Sequence, residues 1–313
     1  MLRTYSIDDG RIAEAPGGDG CIMVFVAPDE GEKRRLTLEY KIDEHTLNSS
    51  LDPDELARLE FEPEHVALIY KRPRNYSGRD GGIAAFKVAS SGIFLFKNKL
   101  IIVQPEDIPL FEGKHFGRRL ALPHVMLGLI YRSIFHFLEH LKVINAISEE
   151  LEQKINAAME NRYLINLFAL EKSLVFYLNS INTNGVLLEK LRHNGTKIGF
   201  SAEELEFLDD IMVENSQCYR QAEIYSNILA SLMDARASIV GNNLNVLMKT
   251  LNIITIGIMV PTFVVSAFSM NVGIPLKDHR FAFWIIMGLG LVSVFGFMLF
   301  WRYKVKGVAG KGL

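Results

Sequence analysis

Hydrophobic and polar positions change their period along the chain. Up to about residue 118 the apolar residues come in short runs, "CIMVFVAP", "HVALIYKRP" and "IAAFKVASSGIFLFKNKLIIV", punctuated by Gly, Pro and Asp. Runs of this kind, rich in Val, Ile and Phe, predict strands. "DPDELARLEF" reads as a short helix capped by Asp52, with Pro53 in its first position. From about Pro123 a helical period takes over in three segments, 123–160, 162–192 and one that begins at Ser201. The last opens on "SAEE", a capping box in which Ser201 and Glu204 satisfy each other's amides. No proline follows until Pro261, and an unbroken helix over that stretch would run roughly 90 Å. Leu205, Leu208, Met212, Tyr219, Ala222, Leu229 and Met233 recur at a spacing near that of helices packed side by side.

Two stretches fit neither pattern. No charged residue occurs between Lys249 and Lys277, or between Arg280 and Arg302. The first gap holds "TLNIITIGIMVPTFVVSAF" and the second "FAFWIIMGLGLVSVFGFMLFW". A hydrocarbon core of roughly 30 Å takes about 20 helical residues, so both are expected to cross a membrane as a hairpin. The expected organisation is a cytoplasmic α/β domain over 1–118 and a cytoplasmic helical region over 119–200. A stalk helix over 201–249, a first span over 250–270 and an external loop over 271–280 follow. A second span over 281–301 and a basic tail over 302–313 complete it. Lys249, Arg302, Lys304, Lys306 and Lys311 outnumber Lys277 and Arg280 of the loop, which puts both termini in the cytoplasm. Trp301 and Tyr303 suit the membrane interface. The first 25 residues lack an apolar signal-peptide core, so export of the front of the chain is not expected.

The first span is not uniformly apolar. Asn245, Asn252, Thr255, Thr262, Ser266 and Ser269 recur at steps of three, four or seven, with Met248 and Met259 on the same line. Such a stripe can serve as a helix–helix contact, since small polar residues pack helices together in membranes. Two asparagines on an uncharged face favour a stripe that lines water. One hairpin cannot enclose a pore, but identical copies around an axis can.

Composition removes other classes. A formal charge of −2 argues against a nucleic-acid partner. Cys21 and Cys218 stand alone, far from any zinc-ribbon spacing, and read as ordinary thiols. No P-loop or GxGxxG occurs, so transport would run on the ion gradient and membrane potential. "HFLEH", His136 to His140, matches an inverted zinc-peptidase pattern and would put two histidines one helical turn apart.

"AEIYSNILASLMDARASIVGNNLNVLMKTLNIITIGIMVPTFVVSAFSMNVGIPL" resembles the C-terminal part of CorA-type magnesium transporters. Members typically carry an N-x-x-M-K step, a T-x-I run, a mid-span proline and a Y-G-M-N signature before a short outside loop. Here the step is Asn245 to Met248–Lys249, the proline is Pro261, and the signature reads Phe268–Ser269–Met270–Asn271. "ALEKSLVFYLNSINTNGVLLEKL" is similar to the helix that precedes the stalk in many members. Ser269 stands where the family has glycine, and Lys277–Asp278–His279–Arg280 makes the loop slightly positive.

The resemblance implies a non-enzymatic homopentameric channel in a bacterial or archaeal cell membrane. It would have a funnel-shaped α/β domain, an inner ring of first spans and an outer ring of second spans in contact with lipid. It implies a first cation site at five copies of Asn271, beside Ser269 and Met270, and a lumen lined by Asn245, Met248, Leu251, Asn252, Thr255, Met259 and Thr262. Leu251 and Met248 would form the apolar constriction. Asp210 and Asp234 fall where the family carries acids that bind regulatory Mg2+ between subunits. Mg2+ prefers oxygen ligands and gives up water reluctantly, so a ring of neutral amide oxygens can hold its hydrated form. Other readings are transport or efflux of Co2+, Ni2+ or Zn2+, and a membrane scaffold that transports nothing.

Overall fold

The computed structural model describes residues 1–8, 10–15, 20–74, 86–112, 116, 121–157, 161–270, 273 and 279–309. The chain divides into two units, Met1–Met233 and Asp234–Leu313.

The first unit is built on a seven-stranded sheet. Its strands are β1 (Leu2–Asp8), β2 (Arg11–Glu14), β3 (Ile22–Val26), β4 (Arg58–Phe61), β5 (His65–Pro73), β6 (Val88–Phe96) and β7 (Leu100–Gln104). They lie in the order β2-β1-β3-β7-β6-β5-β4, with β3 and β7 parallel and the other neighbours antiparallel. Both faces of the central strands are covered, which is why those runs read as continuously apolar. Met23, Phe25, Phe94, Ile101 and Val103 point to Leu36, Ile42 and Leu47, which come from α1 (Glu30–Glu39), α2 (Glu44–Ser49) and the link between them. The alternate residues Val24, Leu68, Ile93, Leu100 and Ile102 face α3 (Leu122–Ala157) and α4 (Asn161–His193). A short α5 (Gly195–Ile198) ends on Gly199, whose φ of +89° is left-handed and suits glycine, and leads to α6 (Ala202–Ala267).

The expected helix at "DPDELARLEF" is not formed. Residues 52–55 make a turn in which the Asp54 amide donates to Asp52 Oδ1 at 2.9 Å, and Arg58–Phe61 pair with β5 as an edge strand. Ladder bonds to β5 outweigh the one turn of helix that Pro53 could start, because short helices nucleate poorly.

Asn184 docks the helices on the sheet. Its side chain accepts from the Lys71 amide at 2.8 Å and donates to the Lys71 carbonyl at 2.8 Å. The Ser133 hydroxyl donates to the same carbonyl at 2.7 Å. Lys71 Nζ donates to the Pro53 carbonyl at 2.7 Å and to Ser90 Oγ at 2.9 Å, and burial lowers its pKa. The predicted capping box opens α6. The Ser201 amide donates to Glu204 Oε2 at 2.7 Å and the Glu204 amide to Ser201 Oγ at 3.3 Å. Phe207, Leu208, Ile211, Cys218, Ala222 and Leu229 of α6 then join the core with α3 and α4.

The second unit holds the rest of α6 and α7 (Ala282–Ala309). α6 does not stop at Pro261 but continues to Ala267. Proline removes the bond to the carbonyl four residues back, and that residue is Gly257, which brings no side chain to the crowded turn.

Candidate functional site

The described apolar helices long enough to cross a membrane are Tyr163–His193, Ala202–Ala267 and Ala282–Tyr303. In the first, Leu167, Leu170, Leu174, Tyr177 and Ile181 are buried against the sheet and its helices, so its apolar face already has a partner. The most apolar windows of the other two are 0% and 6% buried. Most of their apolar surface is uncovered among the described residues, as expected where lipid or further copies cover it.

Within the second unit α6 and α7 approach at Gly290, where an added Cβ would come 3.7 Å from Val265 Cγ2. Ile253, Gly257, Val260 and Val264 are half-buried and recur at three and four residues, so they form one side of α6. Asn245, Met248, Leu251, Asn252, Thr255, Met259, Thr262 and Ser269 are all exposed. At about 100° per residue those from Asn245 to Thr262 gather on the opposite side, and Ser269 lies beyond the end of α6. Met248 is 54% exposed, Leu251 62% and Met259 62%.

The polar groups on this side are acceptor-rich. Thr255 Oγ1 donates to the Leu251 carbonyl at 2.8 Å, and Thr262 Oγ1 donates to the Ile258 carbonyl at 2.7 Å. Each hydroxyl proton is thereby held by the helix and the oxygen lone pairs are left for other donors. Asn245 and Asn252 add amide oxygens, and no Asp or Glu lies in either apolar stretch. A face of neutral oxygens suits the hydrogens of a hydrated cation and does not hold the bare ion tightly.

α6 ends where the signature begins. The Ser269 amide donates to the Ser266 carbonyl at 3.0 Å in a turn, and Met270 is 59% exposed. Asn271, and Lys277 and Asp278 of the loop, lie outside the described residues. Asp210 and Asp234 are both exposed on α6. The neighbouring acid, Asp209, is the one held by Arg192, at 2.6 Å from Nε and 3.1 Å from Nη2.

His136 and His140 do not make a metal centre. Their rings meet edge to face at 4.4 Å, and His140 Nδ1 shares a 2.6 Å hydrogen bond with the Tyr177 hydroxyl. Glu139 of the same motif is exposed while His140 is buried, so the carboxylate turns away from the rings. Among the described residues no cluster of three His, Cys, Asp or Glu could hold a metal ion. Burial lowers both histidines to about 4, aided for His136 by Arg72 and Arg132 and for His140 by His136. Both rings are thus neutral, His140 within the core and His136 half-buried at its edge. Cys218 is likewise a core thiol, pushed up to about 12 chiefly by burial.

Sequence reasoning missed the polar seam of Lys71, Ser133 and Asn184 that seats the helices. Its partners lie 62 and 113 residues apart and leave no local pattern.

The chain matches a protein family described as "CorA-like Mg2+ transporter protein" over residues 18–303. It is 24% identical over 290 residues to the cobalt/magnesium transport protein CorA of Methanocaldococcus jannaschii, an alignment that covers 88% of this chain and 87% of that one. The complete structure of the CorA magnesium transporter from the same organism superposes with a TM-score of 0.78 at 22% identity, covering 96% of each chain. The structure of full-length CmaX superposes with a TM-score of 0.69 at 16% identity, again over 96% of each chain. The cytoplasmic domain of ZntB from Vibrio parahaemolyticus matches 77% of this chain, with a TM-score of 0.58 at 11% identity. With its α/β domain, its long helices and its family match over most of the sequence, this chain belongs to the CorA-like Mg2+ transporter family.

Proposed function

We propose that this chain forms a homopentameric channel that carries divalent cations, Mg2+ foremost, across a cell membrane. The observation that carries the proposal is the pair of opposed sides on α6, one half-buried and one of exposed neutral oxygens and methionines. Five copies of the second face around an axis enclose a hydrated lumen, and lipid covers the outer helices. α6 and α7 are the two spans, and the cationic flanks Lys249 and Arg302 favour cytoplasmic termini.

Asn271, with Ser269 and Met270 beside it, forms the external cation site. Asn245, Asn252, Thr255, Met259 and Thr262 line the path, and the apolar ring of Met248 and Leu251 closes it by dewetting. Asp210 and Asp234 bind cytoplasmic Mg2+ between subunits. Bound cation offsets the mutual repulsion of the carboxylates and holds the closed state through its higher affinity for that state. The driving force is the gradient plus a membrane potential worth about 4.6 kcal/mol per 100 mV for a divalent ion.

The relative from Methanocaldococcus jannaschii bears cobalt as well as magnesium in its name. The test is therefore a flux panel of purified protein in liposomes with Mg2+, Co2+, Ni2+ and Zn2+. Uptake of Mg2+ down its gradient, accelerated by an inside-negative potential, is expected. Liposomes no more permeable to any of the four ions than protein-free ones would leave the scaffold reading.

A further inference from the structure

In the first unit α6 carries two stripes. Leu208, Ile211, Asn215, Cys218, Ala222 and Leu229 are buried, recur at three, four or seven residues, and hold the helix against α3 and α4. Two residues after each of them stands an exposed one: Asp210, Val213, Gln217, Arg220, Ile224 and Ser231. Two residues turn an α-helix by about 200°, so the second stripe looks away from the core over this whole length. A spacing of about 3.5 residues keeps one side of a helix turned to its neighbours as helices coil around each other.

The exposed stripe does not end with the unit. Its three- and four-residue steps continue along α6 through Asp234, Ser238 and Gly241, all exposed, to Asn245. From there they are the steps of the proposed lumen, Met248, Asn252, Thr255, Met259 and Thr262. One register therefore runs from Asp210 to Thr262 on a single helix.

Charge is sparse on this stripe. Between Asp210 and Thr262 its charged members are Asp210, Arg220 and Asp234. Arg220 is exposed and belongs to no ion pair among the described residues. Glu223, three residues on, is exposed as well and is not paired with it. Asp210 and Asp234 lie roughly 15 and 21 Å from Arg220 along the helix at 1.5 Å per residue. Both distances exceed the screening length of about 8 Å at physiological salt, so neither acid cancels its charge. Ile224, the next stripe residue, and Val213, two steps before, are apolar and 55% and 56% exposed. Apolar walls beside a charge keep the local dielectric low and strengthen its field.

Resting on the homopentamer above, we propose that Arg220 forms a ring of five guanidinium groups around the path in the stalk. The ring is an electrostatic barrier that sets the rate at which divalent cations pass between membrane and cytoplasm. Guanidinium stays charged at physiological pH, so the barrier is permanent and, unlike the regulatory acids, needs no bound ion. A divalent cation meets twice the potential energy that a monovalent one does, so the ring slows Mg2+ more than K+.

The test is a charge series at position 220 in liposomes loaded without Mg2+, with inward Mg2+ flux as the readout. Arg220→Lys is expected to keep flux within about twofold, Arg220→Gln to raise it about fivefold or more, and Arg220→Glu to raise it further. Wild-type flux should also rise with internal KCl, which screens the ring, and that of Arg220→Gln should not. A second readout needs no conduction. Arg220→Cys, with Cys21 and Cys218 replaced by alanine, should give a ladder of up to five chains with a short bis-maleimide. Fluxes that do not follow charge, Arg220→Lys conducting like Arg220→Gln, or no ladder would each overturn the proposal. Wild-type liposomes no more permeable than protein-free ones would overturn the transport reading and this proposal with it. Unordered fluxes beside a conducting wild type would overturn this proposal alone.

Discussion

Asn184 and Asn252 both sit on long helices, yet their surroundings are opposite. Asn184 is fully buried and its amide bonds both the N–H and the C=O of Lys71, with Ser133 completing the set. Asn252 lies on the open side of α6 among exposed apolar neighbours such as Leu251 and Met259. In the first unit, polar groups that enter the core must find partners inside the chain. In the second unit the exposed surface is mostly apolar, and a polar stripe there can find no hydrogen bonds in hydrocarbon. The contrast teaches that the same residue type reports packing in one unit and a missing aqueous or protein surface in the other.

The largest effect that would sharpen this contrast is at the signature. Asn271→Ala should reduce Mg2+ flux in liposomes to near background while the oligomer elutes unchanged on size exclusion. Normal conduction would move the cation site elsewhere. Next, Asp210→Asn/Asp234→Asn should lose most of its inhibition by internal Mg2+ in the same assay. Unchanged inhibition would mean that the regulatory acids lie elsewhere in the chain.

In the first unit, Asn184→Ala should destabilise the fold by about 2–3 kcal/mol in chemical denaturation, because it leaves a buried Lys71 amide without a partner. A loss within measurement error would show that the seam does not hold the helices to the sheet. A graded effect is expected from pH. His136 and His140 titrate near 4 in the folded protein, below their ordinary 6.5. The unfolded chain therefore binds more protons between these values, and stability falls as pH drops from 6.5 to 4. The slope approaches about 1.4 kcal/mol per pH unit for each ring. His136→Gln/His140→Gln should flatten it, and an unaltered slope would assign the acid sensitivity to other groups.

Much of this was legible in the sequence where the determinant is local. Charge-free gaps, the Ser201–Glu204 capping box and the run His65–Pro73 each announce an element within its own residues. The polar stripe was legible as well, since its three- and four-residue steps are written along one helix. α1, α2, β1 and the edge strands β2 and β4 were not read. They are short, mostly half-exposed, and owe their conformation to caps and to neighbours brought by the fold; β4, for example, exists by pairing with β5. The helix predicted after Asp52 failed for the same reason, because a strand partner outbid a good local cap.

The account stands or falls on whether the two sides of α6 meet different solvents. Single cysteines at Thr255 and Met259 on the open side, and at Ile253 and Val264 on the half-buried side, can be exposed to a charged, membrane-impermeant thiol reagent in Mg2+-free proteoliposomes. A background in which Cys21 and Cys218 are replaced by alanine removes the native thiols. Rapid modification at 255 and 259 that blocks flux, with little reaction at 253 and 264, is the predicted result. Equal labelling of both sides, or protection of Thr255→Cys and Met259→Cys under open conditions, would contradict a hydrated path along this face.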